Sequence, residues 1–459
     1  MLLEENQLKP RFYEAFLLII AIILTISISI SQFNTVPHIP ILFSIFLLIA
    51  YGLGKKIPFS TLEKSMIHAA SSGIGAVYIF ILIGLLISSW IIGGTIPTLL
   101  YLGFSIVSAS FFYVIVFIIT SLVGTVIGSS LTTVATIGVA LLGIATAVDA
   151  SVAITAGAIV SGAFFGDKMS PLSDTTNLAA GIVGIDLFTH IRNMTYTTIP
   201  AFILSTIGYA ILSPAIKTVD AQVITTYKEA IMMTQLVHWY ALIPLLVLII
   251  CTISKVPALL TLALSTVSGI LISYIHMPLS IEEIGKVLYS GYVSTIGVES
   301  IDTLLTRGGI SSMFFTILLV ILSLSMGGLL FSLGIIQTLL ATIEKWLIST
   351  GKLITGTALT AIGINILIGE QYLSILLTGE AFKEKFRSLG LHPKNLSRVM
   401  EDAGTVINPL VPWSVCGLFI ASMLDVSVLS YLPFAFFCLL SPVMTILFGW
   451  LGITITKTN

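Results

Sequence analysis

Two blocks of polar residues interrupt the long apolar runs of this sequence, and their side chains suit the binding of a cation or a proton. The first block contains Asp167, Lys168 and Asp174, and the second contains the carboxylate pair Glu401 and Asp402. Ionisable groups at membrane depth are costly in lipid and mark functional sites. We therefore expect the four carboxylates to bind a cation or a proton, with Lys168 as their charge partner.

Both blocks also carry residues that interrupt a helix. Gly166 and Pro171 disfavour a continuous helix in the first block, and Pro409 and Pro412 do so in the second. Half-helix ends with freed carbonyls, together with a carboxylate, bind hard cations such as sodium. We expect sodium at Asp174 and Asp402. The supporting ligands expected from the two blocks are Ser170, Ser173, Thr175, Asn177, Thr405 and Asn408.

A purely structural role is the alternative for each block. An Asp167–Lys168 or Glu401–Asp402 network could simply hold the interrupted helices in shape, and Glu401 could pair with Arg398. If Lys168 were free instead, it could bind the carboxylate of an organic substrate.

Two polar turns elsewhere in the chain are candidate partners of the same site. Glu370 is distinctive, because it lies halfway along a segment that we expect to enter the membrane and return to the same side. A carboxylate at such a position serves as an ion ligand or a proton carrier. Hydroxyl-rich turns can also cap helices and do nothing more. The candidate ligands in these turns are Thr125, Ser129, Ser130, Asn365, Glu370 and Gln371.

The composition indicates an all-α polytopic membrane protein. Of 459 residues, 56% are hydrophobic and only 9% are charged, and the mean hydropathy is +1.10. The lipid bilayer is thus an obligatory partner. With 20 basic and 21 acidic residues, the chain has no basic field for nucleic acid. The three cysteines suit small core positions, and the oligomeric state, including a homodimer, is left open.

The distribution of lysine and arginine predicts the topology. Placing basic loops on the cytoplasmic side gives ten spans and two re-entrant hairpins. The protein is then expected in the cytoplasmic membrane, with both termini on the cytoplasmic side. The hairpins are expected at about 97–148 and 353–378, and the broken helices at about 151–184 and 395–424.

A weak internal repeat supports this arrangement. Gly128–Leu131 matches Gly369–Tyr372 at an offset of 241 residues. We expect two inverted repeats of five spans, each with one re-entrant hairpin and one broken helix, as in secondary transporters. The first repeat covers 1–213 and the second 236–459, joined by an extracellular linker at 214–235.

The polar blocks resemble a known family. The segment Gly166–Ala180, followed by Asp186–Arg192 and Thr197–Pro200, resembles the signature of the NhaC-type sodium/proton antiporter family. Leu396–Thr405 with Pro409–Trp413 resembles the second block of that family. The resemblance implies sodium efflux driven by inward proton flow, with sodium and protons as substrates and no cofactor. It also implies that the polar residues of both blocks form the transport core.

Other classes fit the sequence less well. An ATP-driven pump requires a phosphate-binding glycine-rich loop, and the sequence contains no such motif. It contains no protease motif either, and we expect no enzymatic activity. A channel would need a continuous polar pore, whereas here the ionisable groups concentrate in two blocks. The alternative within the transporter class is a sodium- or proton-coupled carrier of a small organic acid, such as malate or lactate, or of an amino acid.

Overall fold

The computed structural model describes residues 9–33, 35–106, 111–213, 221–254, 256–344 and 347–458. These ranges are helical, and within them the β pairing is limited to one bridge between Leu391 and Lys457. Backbone polar groups in lipid must be satisfied internally, so the apolar runs form helices. The all-α fold class is confirmed. Of the predicted linker, 214–220 lies outside the described residues, as do the first eight residues of the first repeat.

The first half contains a hairpin and a broken helix. A π-helix, Val134–Gly138, joins α7 to α8. The helices are α1 Phe12–Phe33, α2 His38–Gly54, α3 Phe59–Ser72, α4 Ile74–Ile92, α5 Thr95–Ile106, α6 Phe112–Ile127, α7 Ser130–Thr133, α8 Val139–Ala147, α9 Val152–Met169, α10 Asp174–Val183 and α11 Leu187–Leu212.

The second half has a similar order of elements. A second π-helix, Glu401–Thr405, continues α21, and a short 3-10 turn, Asn408–Leu410, follows it. The helices are α12 Ala221–Met233, α13 Ile243–Ile253, α14 Ala258–His276, α15 Ile281–Ser290, α16 Glu299–Leu305, α17 Phe314–Ser332, α18 Ile335–Glu344, α19 Thr350–Ile368, α20 Gln371–Ser388, α21 Lys394–Met400, α22 Val415–Leu424, α23 Val428–Tyr431 and α24 Phe436–Leu451.

The lengths of these helices establish a multi-pass membrane protein. Seven helices in the described ranges are long and apolar enough to cross a membrane, or nine if each of two bent pairs counts as one span. One bent pair is the predicted second broken helix, Lys394–Leu410 with Val415–Leu424, which bends by 45°. The total of ten spans stays a prediction.

The two hairpins have different bounds from those predicted. The arms of the first are α6 and the stretch from α7 to α8, while α5 is a separate helix that packs on α8. This hairpin therefore occupies 112–147 of the predicted 97–148. The second hairpin consists of α19 and α20 and extends beyond the predicted 353–378 at both ends.

The tips of the hairpins share one backbone plan. Gly128 and Gly369 end the first arms in the left-handed region, with φ of 70° and 74°, which glycine adopts at little cost. Ser129 and Glu370 follow in extended conformation, and each caps the next helix with its side chain. The matching tips lie 241 residues apart, although the inverted repeat as a whole stays a prediction.

The first broken helix is interrupted between α9 and α10, as the sequence predicts. Pro171 lies in the interruption, and Ser173 caps α10 by accepting a hydrogen bond from the Thr176 amide at 3.4 Å. The Asn177 side chain donates to the carbonyls of Ser173 and Pro171 at 2.7 and 3.0 Å. These bonds fix the turn and place the N-terminus of α10 at the wall of a cavity.

Close packing of α6 on α9 positions the first polar block. A Cβ atom at Gly166 would lie 2.4 Å from the backbone nitrogen of Thr125, so a larger residue would force the helices apart. The next residue on α9 is Asp167, which this packing brings beside the tip of the first hairpin.

Candidate functional site

A cavity of about 410 Å³ lies where α10 meets the tips of the two hairpins. Apolar side chains of α4, α13 and α14 complete its wall, and the cavity reaches the turn between α13 and α14. Seven of the predicted site residues share it, together with Thr132. Its polar lining comprises Ser129, Ser130, Thr132, Asp167, Asp174, Thr175, Asn177, Thr252, Thr261, Gln371 and Tyr372.

Asp167 connects the first broken helix to the first hairpin. Its carboxylate accepts hydrogen bonds from the hydroxyl of Ser130 at 2.7 Å and from the Ser130 backbone amide at 3.2 Å. The side chain is buried, with 5% of the residue surface exposed, yet it contributes to the cavity wall. These two donors from Ser130, with the Ser173 hydroxyl also close to the carboxylate, stabilise the charged form of Asp167.

Asp174 is the more accessible carboxylate of the cavity. It is the first residue of α10 and is exposed, and no hydrogen-bond donor to it is found in the described part of the chain. The positive end of the helix dipole favours an ionised carboxylate at this position. Asp167 and Asp174 repel each other electrostatically, so a cation between them would relieve the repulsion.

Lys168 does not pair with its sequence neighbour. Its ammonium forms a buried ion pair with Asp402 in the second polar block and donates to the Ser441 hydroxyl at 3.0 Å. Asp402 also accepts hydrogen bonds from the hydroxyls of Thr197 at 2.8 Å and Ser441 at 3.0 Å. The Asp167–Lys168 alternative is therefore wrong, and the pair instead joins the two polar blocks.

The environment of Asp402 also bears on the predicted sodium site there. The carboxylate is completely buried, it does not line the cavity, and an ammonium neutralises it. Two hydroxyl donors complete its shell, so the arrangement has the character of a structural ion pair between α9, α11 and α24.

Glu370 lies at the tip of the second hairpin but faces its own helix. Its carboxylate accepts a hydrogen bond from the Leu373 amide at 2.7 Å and caps α20. The next residue, Gln371, lines the cavity, and its buried carbonyl oxygen has no partner among the described residues. The second hairpin thus offers the cavity an amide oxygen rather than the carboxylate.

The asparagines of the second half form a rigid connection. Asn408 donates from its side chain to Asn365 at 2.8 Å, and Asn365 donates to the Gly404 carbonyl at 2.6 Å. Asn408 also accepts from the Cys416 amide at 3.0 Å. Because these bonds tie the second hairpin to the second interruption, Asn365 and Asn408 act as scaffold rather than as cavity ligands.

Two predicted ligands, one from the first hairpin and one from the first block, take part in local bonds. The Thr125 hydroxyl donates to the Ser121 carbonyl at 2.8 Å, and Ser170 accepts from the Leu172 amide at 3.2 Å. Neither side chain lines the cavity.

Glu401 is the least satisfied carboxylate of the described protein. It is completely buried, and both of its oxygens lack a hydrogen-bond partner within the described ranges, as does the hydroxyl of Thr405. The expected alternative of pairing with Arg398 is wrong, because no ion pair joins the two. Arg398 instead donates to the Thr454 hydroxyl at 3.0 Å.

Two partners of Asp402 were missed by the sequence analysis as site residues. Thr197 belongs to the segment Thr197–Pro200, whose resemblance to a family signature was a usable signal. Ser441 gives no such signal, because it lies in a long apolar run and only the packing of α24 brings it to Asp402.

Comparison with known proteins gives consistent results. A sequence model described as the Na⁺/H⁺ antiporter family matches residues 162–453. The Na⁺/H⁺ antiporter NhaC of Alkalihalophilus pseudofirmus is 42% identical over 443 residues, covering 96% of each chain. The Na⁺/H⁺ antiporter NhaC of Bacillus subtilis is 38% identical and covers 97% of this chain and 99% of that protein. The malate-2H⁺/Na⁺-lactate antiporter of Bacillus subtilis is 32% identical, covering 98% of this chain and 97% of that protein.

Proposed function

Because this chain belongs to the Na⁺/H⁺ antiporter family, we propose that it exchanges sodium for protons across the cytoplasmic membrane by alternating access. Both termini are proposed to lie in the cytoplasm. The observation that carries the proposal is the cavity where two carboxylates meet hydroxyl and amide oxygens of both hairpins.

The cavity offers the ligands that a sodium ion requires. We propose that sodium binds between Asp174 and Asp167, with hydroxyl oxygens of Ser129, Ser130 and Thr132 completing its shell. Hard cations prefer oxygen donors, and the two negative charges offset the loss of water from the ion. Asp402 is not part of this proposed site, since Lys168 already occupies its carboxylate.

The cavity reaches the turn between α13 and α14 and the start of α11 at Leu187. The predicted topology places both on the cytoplasmic side. The structure therefore corresponds, in this proposal, to a conformation from which cytoplasmic sodium enters the site.

An organic-acid exchanger is the second candidate, because one relative carries that name. A carboxylate substrate would require a cation or a helix N-terminus in the cavity. Lys168 is buried, paired with Asp402 and absent from the cavity wall, while the N-terminus of α10 already carries Asp174. The charges of the cavity therefore favour a cation over an organic anion.

Asp174→Asn tests the proposal in reconstituted vesicles. The change keeps size and removes the charge, so sodium-driven proton movement should fall to background while folding and insertion stay intact. Asp149→Asn is the matched control, because Asp149 is exposed and in the left-handed region that asparagine tolerates. Wild-type exchange by Asp174→Asn, with an unchanged pH profile, would contradict the assignment of Asp174.

A further inference from the structure

Glu401 begins the second π-helix and lies away from the cavity. The charges that act on it come from Asp167 and Lys168 of α9, which packs against this π-helix, and from Asp402 beside it. The Lys168 ammonium is paired with Asp402, and Arg398 contacts Thr454. In the described structure, Glu401 thus has no ion pair and no hydrogen bond of good geometry, and the Thr405 hydroxyl, four residues further on, is the donor beside it.

We infer that Glu401 holds a proton at a site of its own, and that this proton is exchanged against the sodium bound in the cavity. The inference rests on the proposed function. In an apolar interior, an ionised carboxylate without a counter-ion or a well-formed hydrogen bond is far less favourable than the neutral acid. The conformation described here therefore carries Glu401 in its protonated form.

A proton suits this position better than a sodium ion. Sodium needs several oxygen ligands around one point, and the carboxylates and hydroxyls that provide them converge on the cavity instead. A proton needs only the carboxylate itself. The two carboxylates of the second block thus have different roles, since Asp402 holds Lys168 and Glu401 holds a proton.

Buried hydroxyls near the π-helix offer a route for that proton. Thr405 lies on the π-helix itself, Thr378 on α20 and Thr445 on α24, and both helices pack against the π-helix. All three hydroxyl oxygens are buried and lack a hydrogen-bond partner among the described residues. Each hydroxyl can accept and donate, and Thr405, four residues after Glu401 on the same π-helix, can pass a proton to its carboxylate.

The π-helix connects Glu401 to the cavity through a short chain of contacts. Asp402 pairs with Lys168, whose chain neighbour Asp167 lines the cavity and binds the hairpin residue Ser130. Loss of the Glu401 proton would place a second negative charge beside Asp402 and compete for Lys168. This competition would loosen the ion pair and move α9, and with it Asp167. A π-helix inside an α-helix frequently marks such a functional position.

The variant Glu401→Gln mimics the protonated acid, and Glu380→Gln, on the exposed face of α20, is its matched control. In proteoliposomes, we expect Glu401→Gln to lose sodium-driven proton movement while keeping sodium self-exchange measured with radioactive sodium. Glu401→Asp should retain proton-coupled exchange with a shifted pH profile. Wild-type proton coupling in Glu401→Gln would overturn the inference, and so would loss of sodium self-exchange in a folded, monodisperse protein.

Infrared difference spectroscopy tests Glu401 without relying on transport. The wild type should show a carbonyl band of a protonated carboxylic acid that disappears on alkaline titration, and Glu401→Gln should lack this band. A band that persists in Glu401→Gln would overturn the inference. If the wild type moved no sodium at all, the proposed function would fail, whereas the infrared band would still decide whether Glu401 is protonated.

Discussion

Removing either member of the Lys168–Asp402 pair tests whether this contact stabilises the packing of the two polar blocks. Lys168→Met keeps the length and apolar stem of the side chain and removes its charge. Asp402→Asn keeps the shape of the carboxylate and an acceptor for the Thr197 hydroxyl, 2.8 Å away. Both members are completely buried, so solvent cannot replace the lost partner.

The expected magnitudes differ between the two variants. Asp402→Asn leaves the Lys168 ammonium with the Ser441 hydroxyl as its remaining partner, and breaking a buried pair in this way costs about 3–5 kcal/mol. Lys168→Met leaves Asp402 with the hydroxyls of Thr197 and Ser441. Because a hydrogen bond to a charged group contributes about 1.5–3 kcal/mol, we expect Lys168→Met to be the milder change. The double variant removes both charges. Its loss in free energy of unfolding should be about 2–3 kcal/mol smaller than the sum of the two single-variant losses.

Circular dichroism monitors unfolding in mixed detergent micelles and gives these free energies of unfolding. Lys64→Met is the control, because Lys64 is exposed on α3 and its substitution should change stability little. Strictly additive effects in the double variant would refute the reasoning. Single-variant losses indistinguishable from that of Lys64→Met would refute it as well.

Thiol labelling tests the predicted re-entrant second hairpin. Cysteines introduced at Thr350 and at Ser388 should both react with a reagent added on the cytoplasmic side. Labelling of the two positions from opposite sides would contradict the re-entrant hairpin. On the predicted outer side, the Ser294 hydroxyl and then backbone amides lower the pKa of Asp302. The ionised Asp302 therefore stabilises the folded loop. This stabilisation is present above the ordinary pKa of aspartate and is lost as pH falls through the lowered pKa of Asp302. The protection factors of the amides in this loop should therefore fall on acidification, once the slower intrinsic exchange at low pH is corrected for. Asp302→Asn should lower these protection factors already at neutral pH.

Local backbone chemistry was readable from the sequence. The interruption of the first broken helix follows from Pro171 and from Ser173, which caps the next helix. The hairpin tips follow from Gly128 and Gly369, because a turn in the left-handed region favours glycine. These features depend on a few neighbouring residues, so the sequence predicts them without knowledge of the fold.

Helix ends inside apolar runs were less predictable. The stretch 97–148 reads as one polar-interrupted segment, yet α5 separates from the first hairpin and packs on α8. Composition does not distinguish an apolar residue that faces lipid from one that faces another helix. The bounds of the first hairpin therefore depend on tertiary packing.

The partners of the charged residues were the least predictable part of the site. Asp167 and Lys168 are adjacent in sequence, but consecutive residues on a helix point in different directions and do not face each other. Asp167 therefore meets the first hairpin, while Lys168 reaches Asp402 across 234 residues of chain. The composition of the block was informative, whereas the pairing required the fold.

The same geometry gives each polar block two separate environments. In the first block, one of two adjacent side chains lines the cavity and the other enters the buried ion pair. In the second, Asp402 completes that ion pair and Glu401 lies beside the hydroxyl of Thr405 without an ion pair of its own. The ion pair is thus the contact through which a charge change in one block reaches the other. It follows that sodium affinity should depend less on pH in Lys168→Met than in the wild type, even where sodium still binds. Measuring sodium affinity across pH in this variant tests the coupling between the two blocks. An unchanged pH dependence in folded Lys168→Met would place the coupling elsewhere.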